Sequence, residues 1–284
     1  MLKLAGKVCL FLLLGVSVVR AQSVAVDSAK IQKEYRPWVT YTSARVEKIF
    51  TKGSSLFAEY GTLLQFRGIT RISQDTAGYY SLNENYNSFL WAGYEHAFTE
   101  HWYGGISGKA NFVQIGSGSF FTRFNVAHRG HISKLFFYKE FAFEYLSYTI
   151  YKGYKRPDEG RISASIGLGR KWQFGKKSLY VGVNYRLFVN FDLKDNKNGF
   201  YNNRKIDRTK LKAEITYGFN PHLHLTAYYL RDTEYYYSLG GTTASGSPIA
   251  DSKINRITEG IGFTLTYLLF KDNPDKYVTE LPAR

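Results

Sequence analysis

From Ile162 to Phe191 the chain alternates with a period of two, across two long runs joined by a tight turn. Ile162, Ala164, Ile166, Leu168, Trp172 and Phe174 form one row, with Ser163, Ser165, Gly167, Gly169, Lys171 and Gln173 between them. After Gly175-Lys176-Lys177-Ser178, the apolar row resumes at Leu179, Val181, Val183 and Tyr185 through Phe191, against Tyr180, Gly182, Asn184, Arg186 and Asn190. Strand side chains point alternately to two faces, so each run predicts a strand with one greasy face and one small, polar or cationic face. A tight turn between two such runs predicts a hairpin.

The same rhythm returns at Leu211 to Phe219, from Leu223 after the Asn220-Pro221-His222 turn, and at Ile257 to Leu269. Weaker runs span Trp38–Phe50, Ser54–Ile72, Tyr86–Phe98, Trp102–Ile115, Phe120–Ile132 and Phe141–Tyr151. Connections alternate in length. Short turns lie at Thr51-Lys52-Gly53, Thr99-Glu100-His101, Gly175–Ser178 and Asn220–His222, and longer polar stretches at 73–85, 152–160, 192–205 and 238–255. Short turns at one rim and long loops at the other are how outer-membrane barrels are built.

Alternation alone does not say which face is wet. The runs are about twice the usual five or six residues, long enough to cross hydrocarbon at a tilt. A barrel of so many strands is too wide to fill its interior with side chains, which argues against an apolar inside. Gly, Ser, Thr, Asn, Lys and Arg on the second face suit a hydrated lumen, and aromatics gather at row ends, where interfacial girdles belong. The expectation is an all-β, closed antiparallel transmembrane β-barrel in a bacterial outer membrane. Eleven runs are legible, whereas bacterial barrels have even counts. A weak strand within 22–35 makes twelve, and loss of one weak run makes ten. Twelve is expected.

Lys3 and Lys7 precede an apolar run from Val8 to Val19, and Ala21 offers a small residue for cleavage. These are the parts of a secretory leader, and the run is too short to span a bilayer of about 30 Å as a helix. The expected organisation is a leader over 1–21, an N-terminal segment or weak first strand over 22–35, the barrel over 36–270 and a polar tail over 271–284. The chain's single Cys, Cys9, lies inside that leader, so no internal disulfide is available. No Cys/His spacing suits zinc, no Gly-rich phosphate loop occurs, and no cofactor or metal is expected.

Lys and Arg number 38 against 23 Asp and Glu, and removing the leader takes only Lys3, Lys7 and Arg20 from that excess. Nucleic acid is excluded as a partner by the compartment. Lys109, Arg123, Lys171, Arg186, Arg208, Lys210 and Lys212 are the expected lumen-facing cations, with Arg208, Lys210 and Lys212 on one face of one strand. A low-dielectric wall carrying one sign of charge concentrates the opposite ion, which points to passage or binding of anionic solutes such as acidic oligosaccharides. The plainer reading pairs these cations with acids across the barrel and leaves no selectivity. A second basic set, Lys152, Lys155, Arg156, Lys194, Lys197, Arg204 and Lys205, falls in the long loops, where lipopolysaccharide phosphates are one partner and solubility is the plainer role. Membrane lipids and the barrel assembly machinery complete the expected partners.

Enzymatic readings are thin. His131-Ile132-Ser133 has the His-x-Ser spacing of some outer-membrane lipid hydrolases, which would place both side chains on one strand face. The third orienting group is missing, because position 145 is Tyr. No catalytic residue is assigned. An adhesive role through the Tyr-rich stretch 235–241 is a further class.

The chain resembles a bacterial outer-membrane β-barrel. More narrowly, it is similar over Arg36 to Phe270 to an exported barrel family known only as a domain of unknown function. The resemblance rests on Pro37-Trp38-Val39, on Gly182-Val183-Asn184-Tyr185-Arg186, and on Gly262-Phe263-Thr264-Leu265-Thr266-Tyr267. It implies a fold and a compartment, and no catalytic residues. Barrels of this kind usually end on an aromatic residue, whereas here Phe270 is followed by Lys271 to Arg284.

Overall fold

The computed structural model describes residues 31–50, 53–65, 68–72, 76–80, 87–113, 117–148, 158–193, 206–238, 241–242, 248–249 and 252–270. The strands are β1 (Ile31–Tyr35), β2 (Val39–Ile49), β3 (Ser55–Gln65), β4 (Gly68–Ile72), β5 (Thr76–Tyr80), β6 (Asn87–Ala97), β7 (Trp102–Val113) and β8 (Ser117–Ile132). They continue with β9 (Leu135–Tyr148), β10 (Glu159–Phe174), β11 (Lys177–Asp192), β12 (Arg208–Gly218), β13 (Leu223–Ser238), β14 (Gly241–Thr242), β15 (Pro248–Ile249) and β16 (Ser252–Phe270). The chain forms two compact units. In the smaller, Met1–Lys30 with Leu239–Ser252, the described part is a two-residue antiparallel ladder between β14 and β15.

The larger unit is a closed barrel. Its strands run in the order β2, β3, β6, β7, β8, β9, β10, β11, β12 and β13, each hydrogen-bonded to the next, and β16 joins β13 to β2. That makes eleven strands, not the expected twelve. The even-number expectation assumes that first and last strands meet antiparallel. Here β16 and β2 run parallel over Gly260↔Val39 to Phe270↔Ile49, so an odd number closes and the barrel is mixed rather than wholly antiparallel.

A strand does form within 22–35, but it adds no stave. β1 pairs in parallel with the start of β16, Ile31↔Lys253 to Tyr35↔Ile257, on the same edge that β2 occupies farther along. It therefore prolongs β2 beyond a break at Arg36-Pro37-Trp38. Pro37 has no N–H to give the ladder, which accounts for the break. The β4–β5 hairpin, tied to β1 through Glu34↔Ile72, builds on this extension.

The two faces invert the arrangement of a water-soluble barrel. Leu56, Tyr60, Ile106, Phe124, Ile166, Val183, Ile215 and Phe263 point outward and are exposed, Ile166 by 53%. Arg45, Glu144, Ser163 and Asp232 point inward and are buried, Glu144 at 5% exposure. A continuous apolar outer wall of this extent is foreign to a monomer in water and suits hydrocarbon.

Five short turns lie at one rim. In two of them a side chain replaces missing backbone partners: Thr99 Oγ1 accepts from the N–H groups of His101 and Trp102, and Asn220 Oδ1 accepts from those of His222 and Leu223. Gly53 and Gly175 take positive φ of 83° and 60°. The fifth turn, Ser133-Lys134, carries no Gly, Pro or Asn, and Ser133 itself adopts φ 57°. It starts β9 at Leu135, six residues earlier than the apolar run from Phe141 implies.

Inside, glycines make room for rings laid flat on the wall. Gly169 and Gly182 are cross-strand partners, and a Cβ on either would sit 2.4 Å from the Tyr180 hydroxyl. Tyr228 lies across Gly262 in the same way.

Candidate functional site

All seven inward candidates share the face of these glycines and serines. Alternation on β12 puts Arg208, Lys210 and Lys212 in a column, and the β11–β12 register sets Arg186 directly opposite Lys210. Like charges in that position repel. The repulsion is offset by acids on neighbouring strands: Asp232 of β13 lies opposite Lys210 and takes both Lys210, at 3.4 Å, and Arg208 Nε, at 2.7 Å. Lys212 pairs with Glu214, two residues along its own strand.

A second knot is centred on β9. Glu140 receives Arg186 at 2.8 Å, together with Arg123 and the Tyr138 hydroxyl. Glu144 receives Arg161 Nε at 2.6 Å, and Arg123 Nε lies 3.6 Å from it. Guanidinium forks reaching carboxylates on different strands give directional, charge-assisted bonds that tie four staves, β8 to β11, together. Arg45, with Glu47 at 3.1 Å and Glu59 at 3.5 Å, and Arg129, with Glu95 at 2.7 Å, form smaller knots elsewhere on the wall.

The pairing is uneven. Glu140, Glu144 and Asp232 each serve two cations. Lys109 and Lys171 have no carboxylate within 4 Å among the described residues. Lys109 instead sets its ammonium 3.9 Å from the Phe89 ring centre. Arg45, Trp91, Arg123, Tyr138, Arg186 and Lys212 contribute to the lining of a chamber of about 200 Å³. Its wall combines aromatic rings, forked donors and carboxylate acceptors, which suits a small hydroxylated anion.

Several of these groups escaped the sequence reading. Glu144 alternates with outward Phe143 and Tyr145 within the run from Phe141, so its face is readable from sequence, whereas that of Glu140 becomes so only with β9 starting at Leu135. Arg45, Arg129 and Arg161 likewise lie on legible polar rows, but their partners sit on other strands or two residues along the same strand. The seven long-loop cations, Lys152, Lys155, Arg156, Lys194, Lys197, Arg204 and Lys205, lie outside the described residues.

The hydrolase spacing does not survive folding. His131 is the penultimate residue of β8, with its ring edge-on to Phe136 at 5.5 Å, whereas Ser133 is in the turn, so the two do not share a strand face. His222 is structural: its Nδ1 lies 2.9 Å from the Leu268 carbonyl, and the Leu268 N–H donates to its backbone oxygen. Among the described residues no group of His, Cys, Asp and Glu is arranged to hold a metal.

At the long-loop rim, Asp207 precedes β12 and its carboxylate accepts the Asn190 N–H. Burial pushes this carboxyl from 3.8 up to about 6; the Asn190 N–H opposes the shift and the nearby Glu159 charge adds to it.

No family model and no curated protein sequence matches the chain. Among solved structures, similar chains include a bacterial polysaccharide outer membrane secretin, with TM-score 0.41, 10% identity, 74% of this chain and 67% of that chain covered. Another is outer-membrane expressed OmpT of Vibrio cholerae, with TM-score 0.31 and 13% identity, covering 74% of this chain. This chain spans 62% of the latter, less than two thirds of its length.

Proposed function

We propose that this protein is an outer-membrane β-barrel that takes small anionic, hydroxyl-rich solutes into its lumen, as a passive channel or a binding barrel. Its apolar outer wall and buried charged interior support the membrane setting. One observation carries the solute class: Glu140 and Glu144 together serve three cations, Arg123, Arg161 and Arg186, while among the described residues Lys109 and Lys171 have no carboxylate within 4 Å. Arg45, which takes both Glu47 and Glu59, offsets part of this excess, and Arg208 and Lys210 are matched by Asp232 and Glu234. An interior with spare cationic hydrogen bonds attracts carboxylates and phosphates and repels cations.

Reversal potentials across planar bilayers under a potassium chloride gradient test the reading. The expected sign is that of preferred chloride passage, with Lys109→Gln and Lys171→Gln together moving it toward zero. Equal permeability of the two ions in the wild-type barrel overturns the anionic reading. A mature chain that stays a monomer in water without detergent overturns the membrane setting itself.

A further inference from the structure

The outer wall carries a second population of cations, and it behaves differently from the first. Lys48, Lys139 and Arg170 share the outward rows of Val46, Phe141 and Ile166, and none has a carboxylate within 4 Å among the described residues. Each lies two residues from an outward aromatic whose ring its charge overlies: Phe50 at 5.5 Å, Phe137 at 5.3 Å and Trp172 at 5.0 Å. All three sit in the half of their strands nearest the short turns. Toward the long-loop end one outward cation, Arg231, has Glu259 at 3.9 Å. The short turns add Lys134 and Lys176, and Lys177 follows at the start of β11.

The densest point of this population spans β7, β8 and β9. His128 faces Lys139 directly across the β8–β9 ladder, and Trp102 faces His128 across the β7–β8 ladder. The Trp102 ring meets the His128 ring edge-on at 4.8 Å, and Phe137 stacks on its other side at 5.4 Å. His128 Nδ1 is buried without a hydrogen-bond partner. Opposed basic side chains on a hydrocarbon-facing wall are costly, and they are tolerated at headgroup depth where phosphate is present. In an antiparallel pair the Cβ atoms of directly opposed residues are about 5 Å apart, so one phosphate can accept from both side chains.

We propose that the outward face of His128 and Lys139, bedded between Trp102 and Phe137, binds the phosphodiester headgroup of an anionic phospholipid at the short-turn rim. The aromatic rings take the glycerol and upper acyl region, as interfacial aromatics do, and the ammonium takes the phosphate. The inference rests on the membrane setting but not on the solute reading of the lumen.

Purified full-length protein in neutral-detergent micelles is titrated with phosphatidylglycerol and, separately, with phosphatidylcholine, and retained lipid is counted by native mass spectrometry. Phosphatidylglycerol is expected to remain bound and phosphatidylcholine to leave. Lys139→Gln should weaken retention about fivefold, the loss of one basic contact at a membrane surface, and His128→Gln with Lys139→Gln should weaken it further. Arg231→Gln, at the other end of the wall, should leave it unchanged. Equal retention of the two lipids overturns the proposal, as does wild-type retention in the double variant with native heat-modifiable migration. Displacement of phosphatidylglycerol by an equal concentration of lipid A overturns the assigned source. If the double variant does not fold, the comparison of the two lipids on wild-type protein still decides. A chain soluble without detergent fails the membrane setting as well, whereas a detergent-requiring barrel without anionic preference fails this inference alone.

Discussion

The β8–β11 wall and the β2–β16 seam fix their registers by different means. The wall is stitched by Arg123, Arg161 and Arg186 onto Glu140 and Glu144. At the seam the inward faces are mostly small or uncharged. Gly260 packs against the Val39 backbone, Ser43 Oγ lies 2.9 Å from Thr264 Oγ1, and Ile49 and Leu268 bury each other beside Phe270. Charge holds strands that are neighbours in sequence, where hairpins already bring them together. Between β2 and β16, which must be found without a turn, shape and backbone bonds do the holding, and charge enters only beyond them, where Arg256 Nε lies 3.1 Å from Glu34 of β1. Long-range closure depends on steric fit, since a bulky residue blocks it outright while a lost ion pair only weakens it.

Gly260→Val therefore should have the largest effect. Its Cβ would lie 2.4 Å from the Val39 carbonyl oxygen, a backbone atom that cannot swing aside. Loss of the heat-modifiable band in gel electrophoresis is the expected outcome; a fully closed variant would remove the distinction between seam and wall. Glu140→Gln comes next. It leaves Arg123 and Arg186 with reduced compensation in a buried network, at a cost of about 3–5 kcal/mol in denaturant unfolding, while the barrel still closes. The same variant should increase preference for anions in bilayer recordings.

Asp207 gives the smallest effect and tests the long-loop rim, away from both regions. Its folded carboxyl holds a proton up to about 6 against an ordinary 3.8. The protonated form thus favours folding: stability is greatest below 3.8, falls as pH rises through that window and levels off above 6. Asp207→Asn should flatten that slope in thermal melts between the two pH limits. An unchanged slope would show that another group titrates there.

The two faces were legible because period-two alternation is a local property of each strand. Ile162 to Phe191 declared both faces and the turn between them. Closure was not legible. An even count presumes antiparallel ends, and nothing local to Val39–Ile49 or Gly260–Phe270 announces a parallel pairing. The Ser133-Lys134 turn was hidden for a related reason: Ser133 takes a left-handed conformation without the residue types that signal one. In the lumen, the positions of Arg186, Arg208 and Lys210 followed from alternation, whereas their sharing of Glu140 and Asp232 depends on registers between strands, which alternation does not contain.

An odd stave count also settles geography. β2 enters from the long-loop rim and β16 ends at the short-turn rim, so the barrel wall begins at one rim, with Val39, and ends at the other, with Phe270. In a barrel with an even count both would lie at one rim. Here the strands that close the barrel carry the chain through the wall in the same direction, as a chain that threads it once would.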